Sequence, residues 1–186
     1  MAKLYKNILV LGLKGALSDP FVNRKTRPGK TIIANKPMFD DNREYTETQK
    51  THEAAIREAT TYANFAKTQK VYINKAKGTG TTAYYIAIAD WFSGPKVREI
   101  NVDRWTGEIG QTIRVKARDN VMVARVSVVI RDAEDNVLEM GEAVQSEAGS
   151  AWWNYTTKSR VPMTPFPSVE AIAQDLPGNS DSFIIS

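Results

Sequence analysis

Arg24, Lys25, Arg27 and Lys30 fall within seven residues around a Pro28-Gly29 tip, and Lys36 follows closely. Cations packed this densely can neutralise nucleic-acid phosphates, releasing counterions. They can equally grip the acidic surface of a neighbouring subunit, or simply be solvated on a hairpin. A second group of residues with chemistry is acidic: Asp119, Asp132, Asp135, Asp175 and Asp181. Carboxylates near loop ends can hold calcium, but no dense Asp-x-Asp-x-Asp run occurs, and Asp before a turn more often bonds its own backbone. No metal site is expected.

The remaining chemical candidates are weaker. His52 is the only histidine and has no recognisable nucleophile beside it, so it reads as a surface residue of a helix. Lys77 precedes Gly-Thr-Gly-Thr-Thr at 78–82, which lacks the Gly-Lys-Ser/Thr ending of a phosphate cradle and reads as a turn between helices. There is no cysteine, hence no thiol chemistry or disulfide framework. No nucleophile–base–orienter set can be assembled, so neither catalysis nor a cofactor is expected.

The positions of these groups depend on the elements that carry them. The chain has 186 residues, 42% of them hydrophobic and 25% charged, as in a folded protein. Residues 1–95 carry a net charge of +7 and residues 96–186 a net charge of −3, so the front half is the one suited to an acidic partner. The apolar run from Ile8 to Leu13 is too short for a signal core or a membrane span and reads as a packed segment.

The basic cluster sits on an expected hairpin, with strands over Phe21–Lys25 and Lys30–Asn35. A helix is predicted after Tyr45, with Thr46 as N-cap and Gln49 completing a capping box; Ala55, Ala59, Tyr62 and Ala66 form its apolar stripe. A second helix runs from Gln69 to Lys77. A third opens at Thr81 or Thr82 and stops at Gly94-Pro95. This third helix is apolar nearly all round, so it is either the core of the front unit or its joint to the back half, and Trp91 and Phe92 are candidate interface residues.

Beyond Lys96 the period changes to two. Ile113, Val115 and Ala117 alternate with Arg114, Lys116 and Arg118, and Val126, Val128 and Ile130 alternate with Arg125, Ser127 and Arg131. These are half-buried antiparallel strands, with turns expected at Asp119-Asn120, Asp135-Asn136, Ala148-Gly149 and Pro177-Gly178. Trp152 and Trp153 must point to opposite faces of a strand, one into the core and one partly out. The Val-Pro-Met-Thr-Pro-Phe-Pro stretch from Val161 is expected to form a stiff exposed loop, offering Met163 and Phe166 as contacts.

Over about residues 98–186 the chain resembles bacterial and phage immunoglobulin-like modules. The likeness rests on VSVVIRDAEDNVLEMGEA, WWNYTT and VEAIAQDLPGN, with Gly141, Trp153, Tyr155, Asp175, Gly178 and Asn179 at the matching places. The front half is similar to proteins of Bacteroidetes and their phages that join such a segment to an Ig-like tail.

The expected fold is therefore α+β: a basic hairpin-and-helix domain over residues 1–95 and an Ig-like antiparallel β-sandwich over residues 96–186. The resemblance implies a non-enzymatic structural or assembly protein within a larger particle, such as a capsid accessory or portal-neck ring component of a tailed-phage virion. Its partners would be protein subunits met through an acidic surface, in a homo-oligomeric assembly without a membrane. The location would be the virion, or otherwise the cytoplasm. Two alternatives stand beside this: a nucleic-acid-binding protein using the basic arm, and an adhesive or carbohydrate-binding module using Trp152.

Overall fold

A computed structural model describes the backbone of Ala2–Lys3, Gly15–Ser18, Phe21–Lys25 and Thr31–Asn35, and residues 44–186 in full. The chain divides into two compact units, Met1–Glu47 and Thr48–Ser186. The division falls at the start of the helical region, whose helices share an apolar core with the sheet region.

In the first unit, β1 (Ala2–Lys3), β2 (Gly15–Ser18), β3 (Phe21–Lys25) and β4 (Thr31–Asn35) form an antiparallel sheet in the order β1-β4-β3-β2. The β3–β4 pair is the expected hairpin, with Arg24 opposite Ile32 and Lys25 opposite Thr31. Arg27, Lys30 and Lys36 lie outside the described residues.

The second unit opens with α1 (Glu47–Ala66), α2 (Lys70–Ala76) and α3 (Ala83–Trp91). Alanines at 59, 63 and 66 are fully buried on one face of α1, which lets α1 approach its neighbours closely. The α3 helix starts where the Thr82 hydroxyl accepts from the Tyr85 N–H at 3.4 Å, an N-cap. Ala63, Ala66, Tyr72 and Ala87 form a core that is completed by Val121 and Leu176 from the sheet region. The third helix thus joins the other helices to the sheet region.

Seven strands complete the unit: β5 (Lys96–Asn101), β6 (Thr112–Arg118), β7 (Val123–Arg131), β8 (Val137–Gln145), β9 (Trp152–Thr156), β10 (Ser168–Asp175) and β11 (Ser180–Ile185). All pairings are antiparallel, in the order β11-β10-β7-β8-β9-β6-β5. The β8 strand pairs along most of its length with β7 and only at Val144 and Gln145 with β9, so it turns the corner between two layers. At the far side β5 and β11 meet without a ladder. Instead Asp181 accepts from the Val97 N–H at 3.0 Å and from Lys96 Nζ at 3.0 Å, nearly closing the sheet into a barrel.

The interior holds Ile113, Val115 and Ala117 from β6, Val126, Val128 and Ile130 from β7, and Val169, Ala171 and Ala173 from β10. Period-two alternation placed those of β6 and β7 correctly. Trp153 is buried and Trp152 part-exposed, as their adjacency requires. The four expected turns fall between β6 and β7, β7 and β8, β8 and β9, and β10 and β11.

Candidate functional site

The most unusual chemistry lies where the helices meet the sheet. Asp90 sits near the end of α3 and is completely buried. Its Oδ2 accepts from the Tyr72 hydroxyl on α2 at 2.5 Å, and the Tyr62 hydroxyl of α1 lies 2.5 Å from that of Tyr72. Tyr72 has one proton and gives it to Asp90, so Tyr62 must be the donor to Tyr72. The chain thus runs Tyr62 to Tyr72 to Asp90, crossing three helices.

Asp119, from the β6–β7 turn, lies within hydrogen-bonding reach of Asp90. Its Oδ2 accepts the Val121 and Met122 N–H groups, both at 2.8 Å. Oδ1 of Asp90 and Oδ1 of Asp119 are both buried with no other partner among the described residues. Two carboxylates cannot satisfy each other, whereas a carboxyl and a carboxylate sharing one proton can. Burial is the largest influence on Asp90 and pushes its pKa up to about 7; the Tyr72 hydrogen bond opposes this, and the charges of Asp119 and Asp175 reinforce it. Burial also raises both tyrosines, so neither supplies a phenolate near neutral pH.

Tyr62 also lines a groove of about 420 Å³ with Arg57, Glu58, Thr61, Phe65 and Trp91. This groove is mostly apolar, and the Tyr62 and Trp91 ring centroids are 5.4 Å apart. The arrangement can hold a proton beneath a surface groove, but it brings no nucleophile to that proton. Its clearest effect is to tie α1, α2 and α3 to the β6–β7 turn.

A second buried carboxylate closes the other side of the sheet. Glu139 of β8 accepts from Tyr155 Oη at 2.5 Å, Lys158 N at 2.7 Å, Ser159 N at 3.0 Å and Ser159 Oγ at 2.5 Å. Burial alone would raise its pKa, but these four donors together pull it below the usual carboxylate range. A Cβ on Gly141 would come within 2.8 Å of Tyr155 Cε2, so the glycine is what leaves room for that ring. Across the loops, Gly107 has φ of +83° and no space for a side chain, since a Cβ would lie 2.2 Å from the Val161 carbonyl oxygen.

Three of the acids considered as calcium ligands, Asp119, Asp132 and Asp175, accept turn amides, while Asp181 serves the seam with β5 and Asp135 faces Arg131. Asp132 accepts Glu134 N and Asn136 N, and Asp175 accepts Gly178 N and Asn179 N. Asn179 then donates to the Trp91 carbonyl at 3.2 Å, fastening the β10–β11 turn to the end of α3. Among the described residues no acidic or histidine cluster could hold a metal ion.

The predicted site residues are not gathered into one place. Arg24 and Lys25 lie on β3 in the first unit. His52 is exposed on α1 with its ring centroid 6.5 Å from that of Phe92. Phe92 is exposed, while Trp91 packs on Tyr62. The proline-rich loop is more embedded than expected: Val161 and Pro167 are buried and Met163 packs on the core beside Gly107. Phe166 stays half-exposed, edge-on to Trp105 at 6.3 Å between centroids. Trp152 carries the Arg114 guanidinium 4.6 Å and the Lys116 ammonium 5.1 Å from its ring centroid. Sequence reasoning missed Asp90 and Glu139; the available signal was an acid inside an otherwise apolar helix, and another inside a strand.

No described helix is long and apolar enough to cross a membrane. No protein-family model and no curated protein matches the chain. Among solved structures, the chain is similar to an engineered protein at 19% identity and a TM-score of 0.34, over 48% of this chain and 19% of that one. It is also similar to CopC from Methylosinus trichosporium OB3b, at 9% identity and a TM-score of 0.36, over 48% of this chain and 87% of that chain; the likeness falls on the C-terminal half and concerns its antiparallel β-sandwich.

Proposed function

We propose that this chain is a non-catalytic structural subunit that works by docking other macromolecules in a larger assembly, of which a tailed-phage virion is the kind implied by its Ig-like sequence resemblance. The seven antiparallel strands support that resemblance at the level of a β-sandwich, although the fourth strand, which in immunoglobulin constant-type domains joins the first, second and fifth, here pairs mainly with the third. The buried carboxylates are engaged by groups of their own chain, which suits a scaffold.

The observation that carries the reading is the outer face of the β11-β10-β7-β8 layer. There Met140 is 67% and Val144 72% exposed, with Leu138 and Ile184 also exposed. Ile184 and Met140 stand at the two ends of one cross-strand row, with Glu170 and the buried Val129 between them. Large apolar side chains grouped on a sheet face mark a protein contact more often than free surface.

The test is light scattering on the purified protein alongside a Met140→Lys/Val144→Lys variant. The reading expects a defined oligomer that the paired lysines dissolve while the thermal transition stays in place. A protein that is monomeric throughout, with the variant indistinguishable from it, would overturn the docking role of this face. The carbohydrate alternative has less support, because Arg114 and Lys116 already occupy the Trp152 ring.

A further inference from the structure

The opposite face of the sandwich carries charge that the fold leaves uncompensated. On β6 the residues Ile113, Val115 and Ala117 point into the core, so Arg114, Lys116 and Arg118 point outward. Register places Arg114 between Asn101 of β5 and Asn154 of β9, and Lys116 between Glu99 and Trp152. Arg114 and Lys116 both converge on the Trp152 ring. Two like charges drawn together repel, and the attraction of the ring offsets this only in part. The one acid in the row, Glu99, stands 3.8 Å from Lys116 in an exposed pair worth little. Among the described residues no acid is paired with Arg114 or Arg118.

Outward side chains along a strand repeat about every 7 Å, so the three cations form a line about 14 Å long. Arg118 ends that line at a groove of about 330 Å³, whose other walls include Met122, Gln145 and Ser150. Cations in a line suit a chain of anions better than a single ion. The aromatic ring held among them limits the loss of side-chain freedom on binding.

We propose that this face binds the backbone of a single-stranded nucleic acid, with Arg114, Lys116 and Arg118 each meeting a phosphate and Trp152 acting as the positioning residue that fixes the first two. Nucleic acid fits better than an acidic peptide because the Asn154 amide, directly across from Arg114, offers both a donor and an acceptor to the edge of a base hanging from the backbone.

The experiment is fluorescence anisotropy of a fluorescein-labelled oligodeoxythymidine with the full-length protein over a series of salt concentrations. Each phosphate contact on a single strand contributes about −0.7 to the slope of log K against log salt. Arg114→Gln/Lys116→Gln/Arg118→Gln is therefore expected to weaken binding at least about tenfold and to lower the slope by about 2. Trp152→Leu should weaken binding with the slope nearly kept, and Trp152→Phe should restore it, which a loss of folding would not do. If the triple variant does not fold, Lys116→Gln alone should remove about 0.7 from the slope. An Arg24→Gln/Lys25→Gln/Arg27→Gln/Lys30→Gln variant should retain the part that depends on β6. The proposal fails if the full-length protein does not bind at low salt, or if only the hairpin variant loses binding. It fails equally if polyglutamate competes as well against the Trp152→Leu variant as against the parent, which would point to an acidic protein surface.

Discussion

Asp90 makes the stability of this protein fall as pH rises through the neutral range. In the unfolded chain its carboxyl ionises near its ordinary value of 3.8, whereas in the folded protein it keeps its proton up to about 7. Between these values the native state binds more protons than the unfolded state, so the unfolding free energy decreases with pH. At about 1.4 kcal/mol per pH unit, the full span costs about 4 kcal/mol. Asp90 is wholly buried, so solvent does not screen this cost away. Set against a typical total of about 5–15 kcal/mol, the effect is large. Asp90→Asn keeps an acceptor for the Tyr72 hydroxyl and brings amide protons to the orphan Oδ1 of Asp119. Urea unfolding at pH 5, 6, 7 and 8 should show the parent losing stability stepwise and the variant nearly level. At pH 8 the variant should be the more stable by about 2–4 kcal/mol. Asp119→Asn should shrink the fall, because an amide donor facing Asp90 favours its ionised form. A parent whose stability is flat or rises from pH 5 to 8, or an Asp90→Asn variant weaker than the parent at pH 8, would refute the shared proton.

The other carboxylates and one glycine give further expected outcomes. Glu139 and Asp181 have pKa values held below the ordinary range by their hydrogen-bond donors, against the effect of burial, so the stability they add is present above about pH 4 and is lost as pH falls through their folded values. Combined with Asp90, this sets the stability maximum in urea titrations near pH 4–5, below the usual range of about 5–8. Asp181→Ala should also raise hydrogen exchange at the Val97 amide and along β11, at a cost of about 1–3 kcal/mol, since it frees a backbone donor at the seam. Gly141→Ala should cost about 1–3 kcal/mol by urea unfolding, because its Cβ meets the buried Tyr155 ring, which Glu139 holds by its hydroxyl.

Much of the sandwich was legible because its strands obey one simple rule. In β6, and in β7 apart from Val129, every second residue of the core stretch is aliphatic and its neighbours are charged or polar, so the register of core and solvent faces could be read directly. The Thr82 cap and the glycine stops around α2 and α3 were equally local signals. What escaped was set by contacts between distant parts of the chain. The Tyr72–Asp90 bond joins residues 18 apart and Asn179–Trp91 residues 88 apart, and neither pairing leaves a periodic trace. The packing of the third helix against the sheet region is of the same kind. A Gly-Pro step marks where a helix ends, but Val121 and Leu176 decide what that helix packs against.

The β8 strand shows most clearly how folding and binding pull a sequence in different directions. Its residues Leu138, Met140 and Val144 share one face with Glu142, and the three large apolar side chains alone would favour turning that face inward. Instead the register with β7 turns Glu139, Gly141 and Ala143 inward, opposite Ile130, Val128 and Val126. This choice leaves three large apolar side chains in water and buries a carboxylate, both of which weaken a fold considered in isolation. The interior side is offset by four hydrogen bonds to Glu139 and by the space Gly141 leaves for Tyr155, which together fasten the segment after β9. The outer side has no such compensation within the second unit. Because Met140 and Val144 face outward, the paired lysine substitution leaves the core untouched, and its effect on association tests the proposed docking role of this face directly.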